Sequence, residues 1–161
     1  MRFLVDGMLG GLAKWLRILG YEVRYDASAK DNDLLTIADD ESMVLLTRDE
    51  ELYQRAIART IASALVVGET EEERLAQMAI TFGVHLETNM AETKCPECGA
   101  SLTEKSKSDV TDKVPKESLK LYDRFWKCTN QNCGKVYWVG SHWKQIRQTL
   151  EEARKRARLE Q

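Results

Sequence analysis

The chain has 161 residues, of which 43% are hydrophobic, and its formal net charge at pH 7 is −2. That length suits one or two small domains, and the apolar fraction is typical of globular proteins. No charge-free apolar run approaches the roughly 18 residues of a membrane span, and the first residues lack the apolar core of a signal peptide. We therefore expect a cytoplasmic protein without a membrane segment.

The charge is divided unevenly along the chain. Residues 1–94 hold 10 Lys+Arg and 17 Asp+Glu, a balance of −7, whereas residues 95–161 hold 14 and 9, a balance of +5. An acidic half joined to a basic half suggests an acidic reaction centre beside a surface that binds a polyanion. The alternative is that the basic helices are simply solvated. The charge change and the first cysteine together predict two domains, residues 1–90 and 91–161.

The first half of the chain alternates short apolar strands with amphipathic helices. Strands are predicted at 3–5, 22–25, 43–46 and 64–67, with helices at about 8–19, 31–38, 52–57 and 70–82. Apolar residues in the helices recur at three- and four-residue spacing, and Thr70 with Glu73 forms a capping box. Alternation of this kind predicts an α/β fold with a mainly parallel sheet and helices on both faces.

Aspartates follow the first three predicted strands. Asp6 ends the first strand, Asp31 and Asp33 follow the second, and Asp49 follows the third. Residues just beyond parallel strands meet at the carboxyl edge of the sheet, where ligands bind in open α/β folds. Crowded carboxylates repel one another unless a hard cation lies between them, and oxygen ligands suit Mg²⁺ or Mn²⁺. Taken singly, Asp31, Asp33 and Asp49 are equally suited to cap helices.

Four cysteines fall in two close pairs, Cys95 with Cys98 and Cys128 with Cys133, separated by 29 residues. A glycine follows the second cysteine of each pair, which lets the backbone turn back toward the sulfurs. This spacing is typical of a zinc ribbon, in which four thiolates hold one structural Zn²⁺ and leave no open position for catalysis. The alternative, two disulfides, conflicts with the reducing compartment expected for this chain.

The segment between the cysteine pairs is polar and rich in lysine, so we expect residues 101–120 to form an extended excursion or a mobile loop. A strand is predicted at 136–139, followed by a turn into a terminal helix with a basic tail at 154–158. Aromatic side chains interleaved with Lys and Arg are suited to base stacking and phosphate contacts. Alternatively, the aromatic residues cover the ribbon core and the tail is solvated.

Five segments occur in a characteristic order between Arg2 and about Leu150. They are FLVDGMLGGLAKWLRILGYEV, DNDLL, VLLTRDEEL, CPECG and the stretch WKC…CGKVYWVGSHW. Together they resemble the Mut-seven C-terminal RNase domain family. The resemblance implies a PIN-like parallel sheet flanked by helices, followed by a small zinc ribbon and a C-terminal helix. It also implies metal-dependent ribonuclease chemistry.

The resemblance assigns roles to the aspartates by position. Asp6 resembles the first acid of the family, Asp31 the acid that opens its D-x-x-L-L segment, and Asp49 the acid of its T-R-D motif. These three acids are expected to hold catalytic Mg²⁺ or Mn²⁺, with Asp33 as a neighbour in the site. No residue is assigned to the fourth acid that PIN domains typically use.

We therefore expect a metal-dependent ribonuclease, cleaving as an endonuclease, with RNA as substrate and a ribosome or RNA-processing complex as a candidate partner. The candidate nucleic-acid contacts are Lys14, Arg17, Arg48, His142 and Trp143. Arg17 and Arg48 are equally suited to pair with the acids, and His142 is equally suited to be a general acid or a turn residue. The main alternative is a non-catalytic RNA-binding or ribosome-associated protein with degenerate acids.

Overall fold

A four-stranded parallel sheet forms the first part of the structure, a computed structural model that describes residues 1–160. The strands are β1 (Arg2–Val5), β2 (Glu22–Tyr25), β3 (Val44–Thr47) and β4 (Ser63–Leu65). They lie in the order β2-β1-β3-β4, and every neighbouring pair is parallel. Because β1 and β3 are adjacent in the centre, the residues that follow these two strands emerge side by side at one edge.

A helix follows each strand. The helices are α1 (Gly10–Ile18), α2 (Asp31–Asp40), α3 (Glu50–Ala58) and α4 (Glu71–Phe82), and a single 3-10 turn (Gly7–Leu9) precedes α1. The capping box predicted from Thr70 and Glu73 is present at the start of α4. The predicted α/β architecture, a parallel sheet flanked by helices, is confirmed.

The strands are apolar throughout because both faces of the sheet are covered. Phe3 and Val5 lie in one core with residues of α1 and α4, whereas Leu4 lies in a second core with residues of α2 and α3. Successive side chains of a strand point to opposite faces, so a strand buried on both sides requires a continuous apolar run. These two cores hold the sheet between its helices, and with it the edge on which the aspartates lie.

A second, antiparallel sheet carries the cysteines. It consists of β5 (Leu102–Lys105), β6 (Phe125–Cys128) and β7 (Val136–Tyr137), in that order. The predicted small antiparallel sheet with clustered cysteines is therefore confirmed, although β7 ends two residues earlier than expected.

The segment between β5 and β6 corrects the expectation of an extended or mobile stretch over residues 101–120. Only its first part is extended, and the rest forms the short helices α5 (Lys107–Val110) and α6 (Lys116–Leu121). Val110 and Val114 are buried against Phe125 and anchor the segment to the sheet. Pro115 immediately precedes α6, a position that suits its fixed backbone angle.

The last helix, α7 (Ser141–Leu159), returns to the first part of the fold and packs against α4. Its buried residues recur at alternating spacings of three and four: Trp143, Ile146, Leu150, Ala153 and Ala157. Four of them, Trp143 to Ala153, belong to the core that also contains Phe3 and Val5. The domain boundary at residue 90 stays a prediction. By its packing, however, α7 belongs with the parallel sheet, although it follows the cysteine-bearing sheet in the chain. No described helix, α7 included, is long and apolar enough to span a membrane.

Candidate functional site

Asp6 lies at the carboxyl end of β1, in the centre of the parallel sheet. Its N–H donates to the carbonyl of Leu46 on β3 at 3.0 Å, which ties the two central strands together beyond their last paired residues. Its carboxylate accepts two hydrogen bonds, from the Gly7 N–H (2.7 Å) and from the Thr47 hydroxyl (2.8 Å). A carboxylate offers about four acceptor positions, so Asp6 is fixed in orientation and keeps capacity for a further ligand.

Thr47 connects the first and third acids. It ends β3 and is fully buried. Its hydroxyl donates to Asp6 Oδ2 and accepts from the Asp49 N–H at 3.0 Å. Sequence reasoning did not assign Thr47 to the site. The signal that distinguishes it is a hydroxyl at the end of an otherwise apolar strand, one strand away from an acid.

Asp49 takes the capping role that the sequence left open, whereas its role as a metal ligand stays a prediction. Its Oδ1 accepts from the Leu52 N–H at 3.2 Å, so it caps α3. Its backbone is held against the same hydroxyl that binds Asp6. Because Oδ2 lies outside the capping bond, one carboxylate oxygen of Asp49 remains for a ligand at this edge.

Asp31 and Asp33 occupy the first turn of α2, which is a favourable place for negative charge because of the helix dipole. The Asp31 carboxylate lies 4.0 Å from the Arg55 guanidinium on α3, and Asp33 is exposed. Neither takes part in the network around Thr47. The structure therefore links the Asp6 carboxylate to the backbone of Asp49 through Thr47, whereas Asp31 lies near Arg55 and Asp33 is exposed to solvent.

The separation of the acids limits how a cation would be held. Within residues 1–160, no group of three or more aspartates has carboxylate oxygens within 4.8 Å of one another. Magnesium usually keeps several waters and takes only one or two protein carboxylates. A cation at this edge would therefore be ligated directly by no more than two of these carboxylates.

Two glycines allow the connection from β2 to α2 to close against the turn that follows Asp6. The Tyr25 hydroxyl donates to the Gly7 carbonyl at 2.8 Å. A Cβ at Gly10 would lie 2.9 Å from that hydroxyl, and a Cβ at Gly7 would lie 3.0 Å from the Ala27 carbonyl oxygen. The glycines of the DGMLGG run therefore serve the close packing of this edge.

Arg48 and Lys14 remain candidates for contact with a polyanion. Arg48 donates to the Gly68 carbonyl and lies 3.3 Å from Glu69, so it pairs with the β4–α4 connection and not with an aspartate. About a quarter of its side chain is exposed. Lys14 is exposed on α1 and lies 3.3 Å from Glu97 of the first cysteine turn.

Arg17 and Trp143 are corrections to the predicted set of nucleic-acid contacts. Each is only 6% exposed. Arg17 is enclosed between α1 and the first cysteine turn, and Trp143 packs in the core shared by α7 and the parallel sheet. The expectation that they contact RNA does not fit these positions. Arg17 lies outside the apolar periodicity of α1, and that periodicity does not indicate that the first cysteine turn covers it.

His142 is exposed and lies where two grooves meet. One groove, of about 300 Å³, runs along α1 and includes Gly11, Lys14 and Glu71. The other, of about 370 Å³, lies on the small sheet and includes Tyr122 and Trp138. Both include His142 and neither includes a candidate acid, so His142 connects the outer face of α1 with an aromatic surface. Glu71 was not singled out from the sequence.

A larger groove, of about 700 Å³, lies at the other end of α1 and includes His85 and Arg154. It contains none of the candidate acids. Its polar lining is already engaged in part, because Arg154 donates to the Leu86 carbonyl at 2.7 Å. We therefore place the candidate site at the carboxyl edge and not in this larger groove.

The four cysteines form a compact cluster whose sulfurs all lie within 4.8 Å of one another. Cys95 and Cys133 have sulfurs 3.8 Å apart, and those of Cys98 and Cys128 are 3.4 Å apart. A tetrahedral zinc ion with Zn–S bonds of about 2.3 Å requires sulfurs about 3.8 Å apart, whereas a disulfide requires about 2.0 Å. The cluster therefore has the donor set and spacing to hold a metal such as zinc.

The backbone of each cysteine turn adopts the predicted conformation. Gly99 and Gly134, which follow the second cysteine of each pair, have φ angles of 83° and 62°. Residues other than glycine rarely adopt this left-handed conformation. The two glycines thus allow each turn to close around its pair of sulfurs.

The model of the Mut7-C RNAse domain family matches residues 1–150. The chain belongs to the Mut7-C RNase family. The resemblance seen in the sequence is thereby confirmed, and membership supports ribonuclease activity with RNA as the substrate class. No curated protein and no solved structure gives a significant match to this chain.

In this Mut7-C chain, hydrogen bonding and burial give the cysteines different pKa values. Burial opposes ionisation of Cys98, but the Ala100 N–H and neighbouring side chains lower its pKa to about 7. Burial raises the pKa of Cys128 to about 12. The Tyr137 hydroxyl lies within hydrogen-bond distance of Cys95 Sγ, at 3.1 Å, and burial together with that sulfur raises the Tyr137 pKa.

Proposed function

We propose that this Mut7-C chain is a metal-dependent endoribonuclease that hydrolyses RNA phosphodiester bonds at the carboxyl edge of the parallel sheet. Asp6 and Asp49 hold Mg²⁺ or Mn²⁺, with Asp31 and Asp33 as nearby acids. The observation that carries the proposal is the buried Thr47 hydroxyl, which binds Asp6 Oδ2 and the Asp49 N–H at once. A divalent cation bound there supplies an activated water and stabilises the charge that develops on the phosphate.

Hydrogen bonds within the chain hold two of the acids in place without a ligand. The bonds from Gly7 and Thr47 hold the Asp6 carboxylate in place, and the cap on α3 holds Asp49. Asp31 is less constrained, because its 4.0 Å approach to Arg55 is between partly exposed side chains. Exposed ion pairs of this kind contribute little, so Asp31 is free to turn toward a cation or a water bound to it.

The second half of the chain supplies the surface that holds RNA in this proposal. We infer that residues 1–90 carry the chemistry and that the ribbon within residues 91–161 assists binding, with a structural Zn²⁺ on the four cysteines. Tyr122 and Trp138 line the aromatic groove that meets the α1 groove at His142. Stacking of a base on an aromatic side chain contributes about 1–3 kcal/mol, and it suits single-stranded RNA because every base has a flat face.

The four unpaired cysteines also bear on the compartment. Free thiols and thiolate metal sites persist in the reducing cytoplasm, which we propose as the location of this protein. A ribosome or an RNA-processing complex is the partner that suits an enzyme acting on RNA in that compartment.

Replacing Thr47 with valine should lower RNA cleavage by at least about tenfold. The change keeps the shape of the side chain but leaves the Asp49 N–H and Asp6 Oδ2 without their shared partner, at a cost of about 1–3 kcal/mol. Single-turnover cleavage of a labelled RNA measures the effect. Thr47→Ser is the matched control, because it retains the hydroxyl. Cleavage by Thr47→Val at the rate of Thr47→Ser would show that the bridge does not organise the site.

Replacing His142 with alanine should weaken RNA binding about three- to tenfold, since this exposed side chain joins the two grooves. His85 is also exposed but lines the larger groove away from the acids, so His85→Ala is the matched control. Fluorescence anisotropy with a labelled single-stranded RNA gives both affinities. Equal loss in the two variants would mean that RNA does not follow the path through His142.

One observation favours the non-catalytic alternative. Asp31 lies near Arg55, and the aspartates do not gather into a cluster of three carboxylates. A Mut7-C chain whose acids are degenerate would bind RNA in a salt-dependent way and cleave none. Incubating the purified chain and RNA with Mg²⁺, with Mn²⁺ and with a chelator separates the two functions. Binding without divalent-dependent cleavage would establish the alternative.

A further inference from the structure

Arg17 is a buried cation at the contact between α1 and the first cysteine turn. Its Nη1 donates to the Pro96 carbonyl and its Nη2 to the Val23 carbonyl, each at 3.1 Å. Its Nε is buried and has no hydrogen-bond partner. A side chain that is 6% exposed is therefore bound only by two neutral carbonyl groups.

The charge of Arg17 lacks a carboxylate partner. A guanidinium stays protonated under all physiological conditions, and a buried charge is strongly unfavourable unless an opposite charge compensates it. None of the ion pairs within residues 1–160 includes Arg17. Burial lowers the Arg17 pKa, and the groups that oppose this effect are Cys98, Cys95 and then Glu97. Pro96 lies between Cys95 and Cys98 in the chain and Gly99 follows Cys98, so the guanidinium lies against the turn that carries two of the four thiols.

The first cysteine turn is built closely around Arg17. The Lys94 N–H donates to the Arg17 carbonyl at 2.8 Å, so the turn is bound through the backbone as well as through the guanidinium. A Cβ at Gly99 would lie 2.9 Å from the Arg17 Nε. Both ends of the segment 94–99 therefore lie against Arg17.

We propose that the zinc centre is the counter-charge of Arg17, so that metal loading and attachment of the ribbon to α1 form one linked equilibrium. Zn²⁺ with four thiolates carries a net charge of about −2, which compensates a guanidinium enclosed beside it. Arg17 in turn stabilises the loaded cluster. Because such coupling is reciprocal, removing the charge of Arg17 must weaken zinc binding by the same factor by which zinc stabilises the charged arginine.

The linkage also has a place in the proposed nuclease. Helix α1 begins four residues after Asp6, and it carries Lys14 of the groove and Arg17 of the ribbon contact. Arg17 thus links the ribbon, through the first cysteine turn, to the helix that follows Asp6. The zinc linkage itself holds whether or not the chain cleaves RNA.

The test compares zinc release from the 161-residue chain to a chromophoric chelator. Arg17→Met keeps an apolar stem and removes the charge, and it should release zinc about 10- to 100-fold faster, the range expected for charge-assisted hydrogen bonds. Arg17→Lys, which keeps the charge, should fall between this variant and the wild type. Arg59→Met is the control, because Arg59 is an exposed arginine at the end of α3. Release from Arg17→Met at the wild-type rate would overturn the proposal.

A second measurement separates charge compensation from simple packing. Urea unfolding of wild type and Arg17→Met, each with and without zinc, should show a loss of stability confined to the zinc-loaded protein. Equal losses in both forms would overturn the proposal. If Arg17→Met does not fold, zinc release and urea unfolding are measured on Arg17→Lys instead. Faster zinc release together with a zinc-dependent loss of stability supports the linkage. Wild-type values for both measurements overturn it. RNA cleavage is not a readout here, so its absence would count against the proposed function alone.

Discussion

Replacing Asp6 with asparagine should reduce RNA cleavage by about a thousandfold or more while leaving the fold and RNA binding intact. Asparagine has the size of aspartate and its carbonyl oxygen still accepts from the Gly7 N–H, so the turn after β1 should persist. What is lost is the negative charge that holds a divalent cation, together with the acceptor of the Thr47 hydroxyl. Metal catalysis supplies several kcal/mol to the transition state, and each 1.36 kcal/mol is a tenfold change in rate.

Asp39→Asn is the matched control for this prediction. Asp39 is exposed on α2 and belongs to none of the contacts around Thr47. Single-turnover cleavage with Mg²⁺ and with Mn²⁺ gives the rate, and fluorescence anisotropy gives RNA affinity. Cleavage by Asp6→Asn at the wild-type rate would show that the reaction does not use this carboxylate.

The strands and the order of the acids were predictable because they depend on local patterns. Apolar runs as short as Phe3–Val5 and the capping box at Thr70 are properties of a few neighbouring residues. Parallel pairing then brings the residues that follow each strand to one edge. This reasoning placed Asp6 and Asp49 at one edge but did not separate them from Asp31, since the position of α2 depends on how far its connection runs after β2.

The hydroxyl of Thr47 was not predictable in the same way. Its two partners are Asp6, 41 residues away, and Asp49, two residues away. Arg17 poses the same difficulty, because one of its acceptors is the carbonyl of Pro96, 79 residues away. Helical periodicity describes one face of α1 and contains no information about which distant turn covers the other face.

Two cations of the basic tail lie near acidic side chains, so the net charge overstates how many cations are free to bind a ligand. The sequence left open whether residues 154–158 bind RNA or are solvated. In the structure Lys155 lies near Glu151 and Glu152, and Arg156 lies 3.7 Å from Glu73 of α4. These surface pairs are weak, so a polyanion can compete for the cations, but the tail is also part of the contact between α7 and α4. The surplus of +5 in this half is therefore not a single open surface.

Replacing Cys128 with serine should release the metal and unfold the small antiparallel sheet. Cys128 is 3% exposed and ends β6, the central strand of that sheet. The apolar core beneath it has only three fully packed members, Val110, Val114 and Phe125. A core of that size cannot stabilise a sheet alone, whereas structural zinc sites contribute about 10–16 kcal/mol of apparent binding free energy.

Metal analysis by mass spectrometry and amide hydrogen exchange test this expectation. Cys128→Ser should contain little zinc, and residues 95–140 should lose protection while β1–β4 keep theirs. The sheet of β1–β4 retains its own two cores, so its protection depends on packing that the mutation does not touch. Cys128→His is the matched control, because imidazole also binds zinc in tetrahedral sites. Wild-type zinc content and protection in Cys128→Ser would mean that the ribbon is held by packing, and the cysteine cluster would then need another explanation.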